Sequence, residues 1–143
     1  MTDDAPVVTR VASPEEAAER CAEVLATAID EELTEHGLVL RYRVSETDDG
    51  LVGEEGSFAI CSFWLVSALA EIGEHARARA LCEKMLSYAS PLQLYAEEID
   101  PRTGRHLGNF PQAFTHLALI NAVMHVIRAE GQEDPSKFAP VRT

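Results

Sequence analysis

Apolar and polar positions along this chain alternate in a way that predicts four helical stretches of two kinds. From Ser13 onward, Ala17, Cys21, Val24, Leu25, Ala28, Ile29 and Leu33 recur at three- and four-residue spacing, with Glu19, Arg20, Glu23 and Glu31 off that stripe. That spacing predicts an amphipathic helix of about five turns or more, ending near His36-Gly37. Ser13-Pro14-Glu15-Glu16 is a helix start: Ser as N-cap, Pro in the first turn, acids at the positive end of the dipole. The second stretch, residues 57–72, is apolar nearly all round (Phe58, Ile60, Phe63, Trp64, Leu65, Val66, Leu69) and needs cover on most sides. Trp64, the single tryptophan, is read there as core. After Gly73 a third helix is predicted over 75–88, with Ala76, Ala80, Leu81 and Leu86 inward and Arg77, Arg79, Glu83 and Lys84 in water. A fourth, 111–129, is again mostly apolar, through Ala113, Phe114, Leu117, Ile120, Val123, Met124 and Ile127.

Between these stretches, 38–44 reads as a short extended segment, 45–56 as a Gly- and acid-rich loop, and 90–110 as a long loop. Residues 1–12 read as a flexible lead-in and 131–143 as a polar tail around a body of 13–130. The expected class is all-α, with about four main helices alternating amphipathic and buried. Alternation of that kind predicts two concentric layers, the arrangement of a partial (α/α)6 toroid. No fixed-period repeat supports a helical-repeat array, although the third helix has a TPR-like look.

Composition narrows the partners more than the fold. Twenty-four acidic residues against 12 basic ones give a formal net charge of -12. Phosphate-backbone binding needs clustered Lys and Arg, so nucleic acid is disfavoured, and so is an anionic membrane surface. A neutral ligand such as a sugar is compatible. Cys21, Cys61 and Cys82 lie in apolar stretches without CxxC spacing and read as small buried hydrophobes. The start of the chain shows no apolar signal region, and its longest apolar run, 58–70, is shorter than the roughly 20 residues that span a bilayer. A cytoplasmic location is the expectation. The five histidines are scattered, so neither a metal site nor a cofactor is expected.

The long loop carries the chemistry. It mixes aromatics, adjacent carboxylates and amides, as a sugar site does, and loops longer than about 12–15 residues are usually functional or disordered. The stretch AEEIDPRTGRHLGNFPQAFTH resembles the closing motif of glycoside hydrolase family 15, which holds glucoamylases, glucodextranases and actinobacterial trehalases. EEGSFAICSFWLVSALAEIGEHARARALCEKML and the Arg-Tyr-Arg stretch ahead of it are similar to the preceding segments of bacterial members, so the resemblance runs over about residues 22–127.

That resemblance implies an inverting mechanism in which an acid protonates the leaving oxygen and a base activates water on the opposite face, the two carboxyl groups standing about 6.5–9.5 Å apart to leave room for that water. It implies Glu97 as the base; read by itself, Glu97 is an exposed loop acid. Arg41 or Arg43 matches an arginine that contacts sugar hydroxyls in the family, against a plain surface arginine. Phe114 matches an aromatic that lines the site, against a core residue of its helix. Glu98 is open between sugar contact, a salt bridge and a capping role. Asn109, Gln112 and His116, at the loop-to-helix junction, either orient the loop or bond sugar. Asp100-Pro101-Arg102-Thr103-Gly104 reads as a turn with a positive-φ glycine.

The chain departs from the family in extent. Nothing resembles the upstream segment with the general acid, or the Arg-Asp segment that grips the terminal glucose. A six-hairpin barrel needs about twelve helices of about 12 residues, so four helices make about a third of it. A fragment of a longer enzyme, a degenerate product that self-associates, and a subunit pairing with a separately encoded N-terminal part all fit that extent. Hydrolysis by this chain alone is not expected, and exposed apolar surface is. Two rivals are a non-catalytic TPR-like interaction module, which has no need of the Glu-Glu loop, and an inactive sugar-binding remnant. Trehalose, α-1,4 glucan and dextran remain open as substrates.

Overall fold

The computed structural model describes residues 12 and 13, seven positions between 14 and 29, then 34–40 and 56–133. The expected first helix therefore falls largely outside the described residues, as do Cys21, Arg41 and Arg43. Its start is visible. Ser13 Oγ accepts the Glu16 N–H at 3.1 Å and Glu16 Oε2 accepts the Ala12 N–H at 2.6 Å, a reciprocal cap. That helix does not reach His36. Thr34–Glu35 (β1) and Leu38–Val39 (β2) pair antiparallel instead, across His36 and Gly37 at φ +48° and +72°. Two successive positive-φ residues make a tight hairpin turn and stop a right-handed helix.

Three helices form the body: α1, Ala59–Glu71; α2, His75–Ser87; and α3, Ala113–Glu133. The class is mostly helical rather than all-α, because a second sheet orders three short strands as β3-β4-β5: Ser57–Phe58, Glu98–Ile99 and His106–Leu107. Both pairings are antiparallel, with Glu98 opposite Phe58 on one side and Leu107 on the other. Half of the expected long loop is thus a hairpin, closed by the Asp100–Gly104 turn with Gly104 at φ +72°.

Helix α1 is central, packing on α2 and α3. Its Phe63 and Val66 meet Cys82, Met85, Tyr95, Ile99, Ala118 and Ala122 in one core, and its Leu65 and Leu69 meet Val39 and Ala78 in a second. Ser62 ties β2 to this helix by accepting the Val39 N–H at 2.9 Å. Two inward assignments need correction. On α2 the buried stripe is Ala78, Cys82 and Met85, with Leu81 half-buried, while Ala76, Ala80 and Leu86 are exposed. Trp64 is 58% exposed, not core, and heads a bare strip of α1 with Ala68 and Glu71. On α3, Phe114, Leu117, Ile120, Met124 and Ile127 are also exposed. These helices carry more apolar faces than three helices can cover. No helix among the described residues is long and apolar enough to cross a membrane.

Candidate active site

The 95–97 segment runs between the starts of α1 and α3, and nearly every polar backbone atom in it is held. The Tyr95 N–H donates to His116 Nε2 at 3.3 Å, and Tyr95 O accepts the Gln112 N–H at 2.9 Å. Thr115 Oγ1 donates to Ala96 O at 3.2 Å in the buried interior. The Glu97 N–H donates to Asn109 O at 2.9 Å, and Glu97 O accepts the Ala59 N–H at 3.0 Å. That last bond satisfies one of the donors a helix start leaves orphaned. His116 Nδ1 lies 2.7 Å from Gln112 O. A carbonyl only accepts and a backbone N–H only donates, so these partners put the His116 proton on Nδ1.

Tyr95 anchors the segment from below. Its ring is fully buried, edge-on to Phe63 at 5.5 Å and His116 at 5.9 Å and stacked on His106 at 6.1 Å. Its hydroxyl donates to Met85 O at 3.0 Å, and burial, with a smaller contribution from Cys82, pushes the phenol up to about 12. His106 Nε2 is 2.8 Å from Tyr88 O, so the hairpin is pinned to the end of α2 as well.

On this frame Glu97 presents its carboxylate to the β5–α3 connection. Glu97 Oε2 accepts the Asn109 N–H at 3.2 Å and lies over Gly108, whose φ is +71°. Among the described residues no donor reaches the other oxygen. Glu98 turns elsewhere: its Oε2 accepts the buried Gly56 N–H at 3.0 Å, ahead of β3. In the supporting turn, Asp100 accepts from the Thr103 hydroxyl at 2.6 Å and the Arg102 N–H at 2.9 Å, which hold its carboxyl below the usual range, the hydroxyl most.

Of the residues singled out in the sequence, Glu97, Gln112 and His116 come together, with Asn109 beside them. Phe114, 68% exposed in the first turn of α3, is not a core residue. Glu98, in β4, is bonded to the Gly56 N–H instead, and Arg41 and Arg43 lie outside the described residues. Sequence reasoning missed Gly108, Thr115 and Tyr95. For Gly108 the signal was present, since a Gly-Asn pair in a loop marks a turn whose glycine takes positive φ. Among the described residues no group of three His, Cys, Asp or Glu side chains could hold a metal ion.

A lone carboxylate on a fixed backbone, with one oxygen tethered and one open, can take a proton from water. Comparison with known proteins places the chain in a family. The sequence profile of glycosyl hydrolases family 15 matches residues 7–124. A trehalase of Mycolicibacterium smegmatis is 80% identical over 109 residues, which are 76% of this chain but 16% of that protein. The Mycobacterium tuberculosis trehalase is 79% identical over 109 residues, with the same shares. A Thermoplasma acidophilum trehalase is 47% identical over 93 residues, 64% of this chain and 16% of the relative. No solved structure matches. The chain thus spans only 16% of the length of these relatives, and with a profile match over most of its residues it belongs to glycosyl hydrolases family 15.

Proposed function

We propose that this chain is the C-terminal part of an inverting α-glucoside hydrolase domain, with trehalose as substrate and Glu97 as general base. The observation that carries the reading is the state of the Glu97 carboxylate, tethered through Oε2 to a backbone that is itself bonded to α1 and α3. In the reaction Oε1 takes a proton from water as the water oxygen bonds to the anomeric carbon. The glycosidic C–O bond breaks on the opposite face, and the leaving oxygen takes a proton from an acid supplied by another segment of the domain. Room for that water needs about 6.5–9.5 Å between the two carboxyl groups.

The relatives named trehalase support trehalose over a glucan. Residues 13–130 would then form about a third of an (α/α)6 toroid. The exposed stripe on α3 and Trp64 on α1 fit that part, because neighbouring hairpins of a complete toroid would cover them. Those hairpins belong to the rest of a longer domain, whether in the same polypeptide, in a separately encoded N-terminal part or in a self-associated assembly; the matched stretch is 16% of the length of its relatives. Gln112 and His116 act by fixing the 95–97 backbone; Phe114 and one of Arg41 and Arg43 are the remaining sugar-contact candidates, while Glu98 is bonded to the Gly56 N–H instead.

A chimera tests the reading. In the Mycolicibacterium smegmatis trehalase, the matching 109 residues are replaced by those of this chain, and glucose release from trehalose and maltotriose is followed. The chimera hydrolyses trehalose, and Glu97→Gln lowers kcat by about 10²–10⁴-fold, the usual contribution of a general base. The chain alone releases no glucose. Full activity in the Gln variant removes Glu97 as base, and release from maltotriose alone moves the substrate to glucans.

A further inference from the structure

We propose that the Gly108-Asn109 turn is a positioning device for the Glu97 carboxylate, an inference that rests on Glu97 being the base. The Glu97 backbone is held at both its N–H and its carbonyl. Its side chain still has three rotatable bonds, and among the described residues the Asn109 N–H at 3.2 Å is the donor that fixes them. A hydrogen bond to a carboxylate is one of the stronger kinds, so it selects one orientation and assigns the oxygens separate roles. Oε2 is the tethered oxygen and Oε1 the one available to the water.

Gly108 makes that tether geometrically accessible. A Cβ at Gly108 would stand 3.0 Å from Glu97 Oε2, 3.1 Å from Glu97 Cβ and 3.6 Å from Glu97 Cδ. The contact with Oε2 is relieved by swinging the carboxylate away, which breaks the bond to Asn109. The contact with Cβ is not, because that atom is fixed by the held backbone. The turn must then move, and the Asn109 N–H moves with it. Either response frees the carboxylate.

Gly104 supplies the internal control. It lies ahead of β5 as Gly108 lies after it, at φ +72°, and a Cβ there would meet the Tyr88 ring at 3.3 Å rather than any part of Glu97. Alanine at either glycine suffers the same backbone strain, so a merely structural role predicts the same outcome for both.

The experiment uses the chimera with Gly108→Ala, Gly104→Ala and Glu97→Gln, measuring kcat, KM and thermal melts, together with the amide spectrum of the full chain by itself. Both glycine variants melt at lower temperature. Gly108→Ala lowers kcat about 10²-fold, the size of effect an ångström of misplacement produces, with KM unchanged, while Gly104→Ala keeps its kcat. In the spectrum Glu97→Gln shifts the Asn109 amide proton. Equal kcat in the two glycine variants overturns the proposal. So does an unmoved Asn109 amide, which keeps the test decisive even where Gly108→Ala fails to fold. An active Glu97→Gln chimera would instead remove the base assignment, whereas an inactive one with matched glycine variants removes only the positioning role.

Discussion

Thr115→Val removes one of the bonds that hold the Glu97-bearing segment to α3. Thr115 is 1% exposed, and its hydroxyl donates to Ala96 O at 3.2 Å. Ala96 is fully buried, and among the described residues no other donor is bonded to that carbonyl. Valine has nearly the same shape, so the change removes the donor while leaving the volume filled. A buried carbonyl stranded without a partner costs about 1–3 kcal/mol. The added methyl returns about 0.8 kcal/mol of apolar burial. The net expectation is a loss of about 0.2–2 kcal/mol, read as a lower urea midpoint at unchanged m-value by circular dichroism of the full chain. Thr115→Ser keeps the donor and removes one buried methyl, for a loss of about 0.8 kcal/mol. A valine variant as stable as the parent, with the serine variant clearly weaker, would show that the methyl rather than the hydroxyl matters here, and the argument from the stranded carbonyl would fail.

Two further predictions use the same interior. Ser57 Oγ is buried with no hydrogen-bond partner among the described residues, so Ser57→Ala stabilises the chain by about 1 kcal/mol, the penalty of an unpaired buried hydroxyl, read as a higher urea midpoint; a lower midpoint would mean that the hydroxyl is engaged. Burial raises the Tyr95 phenol from 10.0 to about 12, so the folded chain holds that proton more tightly than the unfolded one. The stability this confers is fully present below pH 10.0 and is lost as pH rises towards about 12. An absorbance titration of the folded chain therefore loses a late phase in Tyr95→Phe; identical titrations of parent and variant above pH 10.0 would contradict it.

The parts of this fold legible in the sequence are those that local chemistry decides. The cap at Ser13, the break at Gly73, the positive-φ Gly104 and the two apolar helices each follow from a residue or a spacing that acts over one or two turns. Of the site, the Glu97 assignment came from a motif resemblance, and the structure adds how its carboxylate is held. The inward faces were less legible. Ala76, Ala80 and Leu86 are as apolar as Ala78 and Cys82, and only the placement of α1 decides which stripe of α2 is buried. The strands of the long segment escaped notice because they are two residues each, too short for alternation to register.

By itself, then, the sequence determined the three helices of the body, the cap at Ser13, the turn at Gly104, the acidic balance and the family, since these depend on side-chain type at close range. The tertiary structure alone decided that Glu97 and Glu98 serve different neighbours, that His116 and Thr115 hold the backbone before Glu97, and that Gly108 leaves space under its carboxylate. Those contacts join residues 11 to 42 positions apart, and such distances close only when the hairpin and three helices pack. The exposed Trp64 and the bare stripe of α3 have the same origin: a side chain's hydrophobicity is local, but its burial requires a neighbour.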